Sequence, residues 1–148
     1  MDRVAYSLLP LAGGALVAIQ APINARLRTA IDSPLAAGLV SFAVGTALLV
    51  VLTLAAGHIG SVSQVGGGPW WAYLGGACGT ALVVGTLVAA PRIGVLATFV
   101  AVIVGEVAMA MAIDRFGWFH AQRIAITWDR LLGVALLVAS LVLILRRR

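Results

Sequence analysis

Lysine is absent from this sequence, cysteine occurs once, at Cys78, and glutamate once, at Glu106. Each scarcity excludes something. One cysteine cannot close an internal disulfide, and Cys78, set in an apolar run, reads as a small packing residue. Charged residues make up 10% of the 148 and hydrophobic residues 62%, which is too little polar surface for a soluble domain and the balance of a membrane protein. A chain of this length leaves room for one domain. The apolar runs are continuous and lack an alternation of period two, which argues for helices against a membrane barrel. No phosphate-binding loop, zinc motif or nucleophile–histidine constellation is present. "VGGGP" (65–69) has neither the lysine nor the helix context of a phosphate loop. His58 and His120 lie in connections without metal-ligand spacing and read as surface residues. No metal or other cofactor is therefore expected. An enzyme gains no support either, because the one acid within an apolar run has no second catalytic group beside it.

What charge there is comes mostly from ten arginines against five acids, a net charge of +5. In a soluble protein that balance would point to nucleic acid. Here the arginines sit at the ends of apolar runs, where they anchor helices in the headgroup layer, so the partner they imply is a lipid bilayer.

Runs of about 20 apolar residues cross a bilayer as helix. Their count predicts an all-α polytopic integral membrane protein with five spans, near 4–24, 35–56, 70–90, 93–113 and 127–145. The first resembles a secretory signal at its start, but four further spans follow, so it is expected to stay as a membrane helix. Ser33-Pro34 supplies an N-cap and a proline at the first helical position of the second span. The Gly-rich stretch 57–69 leads into Trp70-Trp71, an interfacial aromatic pair. Pro91-Arg92 predicts a tight turn between the third and fourth spans. The polar connection 114–130 carries Trp118, Phe119 and Trp128 and suits a segment lying along the interface.

With an odd number of spans the termini lie on opposite sides. One side holds Arg3, Arg115, Arg123 and Arg130, and the other holds Arg26, Arg28, Arg92, Arg146, Arg147 and Arg148. The amino terminus narrows this near balance further, which predicts dual insertion or dependence on an oppositely oriented partner. A single orientation with the arginine tail inside is the plainer alternative.

Polar residues within the apolar runs are the candidate functional residues. Glu106 lies eight residues before Asp114, roughly 12 Å deep at helical rise and close to the midplane of a core about 30 Å thick. A carboxyl there without a cationic partner is costly to place in the membrane and is usually functional. It could exchange a proton for a cationic ligand, or serve as a neutral hydrogen-bonding contact between helices. Gln20 and Asn24, four apart, share a helix face, and Pro22 between them frees backbone from the helix ladder. They could line a ligand cavity or hydrate the helix end. Small residues at four-residue spacing, Gly75 with Gly79 and Ala135 with Ala139, joined by Gly133, mark faces for helix packing or a dimer interface.

These features occur in an order that resembles a known family. Gln20, Asn24 and Leu27 follow a Gly-rich first helix. "SFAVGT" (41–46), "WWAYLGGACG" (70–79) and "PRIG" (91–94) come next. Asp114 with "FGW" (116–118) and "RLLGVALLVAS" (130–140) complete the series. The chain resembles the YdcZ-like family of small bacterial inner-membrane proteins in the drug/metabolite transporter (DMT) superfamily, which is related to the small multidrug resistance transporters. The resemblance implies a multi-pass inner-membrane protein forming one half of an inverted repeat. It also implies pairing with an antiparallel copy or a related chain, and a solute site near the midplane. One position departs from the family pattern, with Glu106 where a glutamine is common. The function so implied is secondary transport, a proton-coupled exchange of a small organic cation or polar metabolite. The alternative is a non-transporting membrane subunit, or an obligate half of a heteropair, in which Glu106 is structural.

Overall fold

The computed structural model describes residues 3–146. Met1, Asp2, Arg147 and Arg148, together with the side chains of Arg3, Val4 and Ala5, lie outside the described residues, and so therefore does part of the arginine balance. The described chain is helical, without strands, and its helices are α1 (Arg3–Ile31), α2 (Pro34–Ala55), α3 (Gly75–Ile93), α4 (Val95–Phe116) and α5 (Trp128–Arg146). Five segments are long and apolar enough to cross a membrane, the third of them counted from Trp70. The chain forms two compact units, Met1–Val88 and Ala89–Arg148.

In the first unit α1 runs for 29 residues, straight through Pro10 and Pro22. At 1.5 Å per residue that is about 43 Å, longer than the hydrocarbon core, so Arg26 and Arg28 are carried on its last turns. Two residues join it to α2. Asp32 takes the left-handed conformation (φ 50°), which aspartate tolerates, and Ser33 caps α2 with its hydroxyl accepting from the Ala36 N–H at 3.2 Å. Proline follows at the first helical position, as the Ser33-Pro34 pair predicts. The interior of this unit is built from small residues that let helices approach. Ala37 is fully buried, Gly38 lies against Val83 and Val84 of α3, and Gly79 of α3 lies against the Phe42 ring. The stretch expected as a loop between α2 and α3 coils instead into two 3-10 segments, Ile59–Gly67 and Trp70–Leu74. The Tyr73 hydroxyl pins them by donating to the Val65 carbonyl and accepting from the Gly68 N–H.

The break between α3 and α4 differs from the turn expected at Pro91-Arg92. Helix α3 continues through Pro91 to Ile93, and the chain breaks at Gly94 (φ 85°, ψ 158°). Proline in the last turn removes one backbone hydrogen bond, the one that the Leu87 carbonyl would have accepted. Gly94 adopts a conformation essentially confined to glycine.

In the second unit α4 and α5 pack antiparallel. Helix α4 ends at Gly117 in the left-handed conformation (φ 68°), its N–H bonded to the Ile113 carbonyl at 2.8 Å. The connection is tied back at two points. Arg130 pairs with Asp114 at 3.0 Å, and the Ile124 N–H donates to the Asp114 carbonyl at 2.9 Å. Phe116 and Trp118 stack with centroids 5.3 Å apart. Trp128, expected at the interface, is 84% exposed at the start of α5.

Candidate functional site

The polar residues of the first unit converge on one hydroxyl. Gln20 donates through Nε2 to Ser41 Oγ at 3.3 Å, and Asn24 donates through Nδ2 to the same atom at 3.1 Å. A hydroxyl has one proton to give, so at least one of the amides must present its NH2 group. Asn24 is 5% exposed and Gln20 is half-buried. Burial of these groups is tolerable because they are paired.

Ser41 opens a cleft of about 280 Å³ lined by Gln20, Ser41, Phe42, Gly45, Thr46 and Leu49. Gly45 is at the centre of α2, so the cleft reaches the middle of the span. None of the six lining side chains is ionisable.

Close by, Arg28 meets a defect in α3. Its Nη1 donates to the Leu87 carbonyl at 2.8 Å. That carbonyl would ordinarily accept from residue 91, but residue 91 is a proline and has no N–H. The half-buried guanidinium therefore satisfies an acceptor that the proline orphans, and joins α1 to α3.

Glu106 belongs to the second unit. It is exposed on α4, and among the described residues no side chain pairs with it. The groove between α4 and α5, about 330 Å³, is lined instead by Val107, Met111, Asp114, Arg130, Gly133 and Leu137 among others. Glu106 thus stands to one side of the face that α4 gives to α5.

The small residues divide. Gly79 packs on Phe42 within the first unit, and Gly133 lines the α4–α5 groove. Gly75 has nothing within 4 Å of where a Cβ would stand. Ala135 and Ala139 are exposed on α5, and Ala139 shares a surface groove with Ser140 and Leu143. No group of three His, Cys, Asp or Glu side chains is close enough to hold a metal among the described residues.

Ser41, Thr46 and Arg28 were not among the residues expected at a site. A readable signal existed for Ser41. It lies seven residues after the start of α2, and Asn24 lies seven before the end of α1, so a short link between the helices puts them at equal depth.

No curated protein and no solved structure matches the chain. Residues 5–143 match the family model DMT_YdcZ, described as "Putative inner membrane exporter, YdcZ". That match covers almost the whole chain, including the cleft, the Arg28 contact and Glu106, and it accords with five membrane-length helices. The chain therefore belongs to the YdcZ family of the DMT type, multi-pass inner-membrane proteins whose family name describes an exporter.

Proposed function

We propose that this chain exports a small solute as a secondary transporter, working as an antiparallel pair. Gln20 and Ser41 hold the solute, Asn24 belongs to the same site by fixing the Ser41 hydroxyl, and Glu106 carries the coupling proton. The observation that carries the reading is the convergence of two amides on Ser41 at a cleft that reaches the middle of a membrane-length helix. Transporters of inverted-repeat design hold solute at that depth. Glu106 supports a proton role because it is the one acid in the body of α4 and has no cationic partner among the described residues. Proton loading and release at Glu106 would bias which face of the pair is open, and the solute would cross as the two halves rock.

The test is flux in proteoliposomes at several pH values. Gln20→Ala or Asn24→Ala should lower flux about tenfold, the scale of one lost hydrogen bond at a site. Glu106→Gln should keep the fold and lose the pH dependence. Unchanged pH dependence in that variant removes Glu106 from the mechanism.

A second reading is an obligate half of a heteropair, with Glu106 as a contact between chains. The open positions Gly75, Ala135 and Ala139 favour some partner chain. Folded protein that is silent alone and active only with a related chain would select this reading.

A further inference from the structure

We propose that the solute is an uncharged molecule, rich in hydrogen-bond acceptors and bearing a planar or apolar group, and that Thr46 is one of its donors. This rests on the export reading above and narrows it away from organic cations.

Helical threonines ordinarily return their hydroxyl proton to a carbonyl one turn back. Thr29, Thr53, Thr80, Thr86 and Thr98 all do so, at 2.7–2.9 Å. Thr46 makes no such bond among the described residues, and it lines the cleft. Its hydroxyl is therefore free to donate to a guest.

Ser41 is in the same condition for a different reason. Its oxygen accepts from both Gln20 and Asn24, and its own proton has no acceptor among the described residues. Two donors feeding one hydroxyl polarise it and make its proton a stronger donor. Gln20 spends its amide nitrogen on Ser41, which leaves Oε1 to accept from a guest.

The cleft thus offers two hydroxyl donors and one amide acceptor. Phe42 and Leu49 form its apolar wall. A cation would find no carboxylate among the lining side chains, and an anion no guanidinium, since Arg28 is held on Leu87. Transfer of an unpaired charge into such a site is far costlier than transfer of a neutral polar group whose hydrogen bonds are met. At about 280 Å³ the cleft is near the lower end of small-molecule sites, so the solute is small.

The test, run at about pH 6 so that the α-amino group is charged, uses one skeleton in three charge states: N-acetylphenylalaninamide (neutral), phenylalaninamide (cationic) and N-acetylphenylalanine (anionic). Binding to the purified protein and uptake into proteoliposomes are both measured, in the wild type and in Thr46→Val, which keeps the volume and removes the hydroxyl. The expected result is that the neutral compound binds and moves at least tenfold better than either charged one, and that Thr46→Val lowers both readouts for it about three- to tenfold. Preferred movement of the cation overturns the inference and leaves export standing. Binding of the neutral compound that weakens in Thr46→Val, without flux, upholds the solute class and overturns export. Failure of the neutral compound to bind folded wild type overturns the inference.

Discussion

At the scale of single residues, two glycines fix where helices stop. Gly94 holds a backbone conformation that side chains with a Cβ do not adopt, and Gly117 combines φ 68° with a Cβ position only 2.8 Å from Arg123 Cγ. Gly94→Ala should cost about 1–3 kcal/mol, the range for strained backbone. Gly85→Ala, on an open helical stretch of α3, should be neutral or stabilise by up to about 1 kcal/mol. Unfolding in mixed micelles compares the two, and equal losses would remove the backbone explanation. The polar residues of α1 were legible from their four-residue spacing alone. Ser41 was harder to read because one serine in an apolar run is unremarkable until the partner helix brings two amides to it. Thr46 was invisible, since the sequence does not reveal which threonines return their proton to the backbone.

At the scale of elements, each unit has a specifically tied connection, short between α1 and α2 and longer between α4 and α5. The α1–α2 link depends on the Ser33 cap, and Ser33→Ala should cost about 1 kcal/mol. In the second unit the Asp114–Arg130 pair closes the groove between α4 and α5 at one end. Both side chains are about one-third exposed, so Asp114→Asn should cost no more than about 1 kcal/mol, and the loss should shrink at high salt. A loss unaffected by salt would assign the role of Asp114 to its neighbours' packing. The number of helices was readable because apolar run length maps directly onto bilayer thickness. Their ends were less so. Proline reads as a stop, yet Pro91 sits inside α3, because the acceptor it orphans finds a donor on another helix.

At the scale of the whole molecule, most large apolar side chains face outward, as lipid requires. Leu9, Leu11 and Leu39 are each more than 70% exposed. The arginines lie near helix ends, including Arg28, Arg92, Arg115 and Arg146 in last turns. With so balanced a distribution, we expect the chain to insert both ways. In a Cys78→Ser background, Ser61→Cys should react with an impermeant thiol reagent from each side of sealed vesicles, in comparable amounts. Labelling from one side alone selects a fixed orientation, with any oppositely oriented partner supplied by a different chain.

The contact of Arg28 with Leu87 reaches past stability into inheritance. A chain that keeps proline at position 91 must keep a donor at position 28, while one that regains an amide at 91 is released from that need. Arg28→Met, which removes the donor, should therefore be tolerated better on a Pro91→Ala background than alone, as surviving folded yield would record. Two positions far apart in sequence are thereby coupled, and substitutions at them in related chains should tend to arise together.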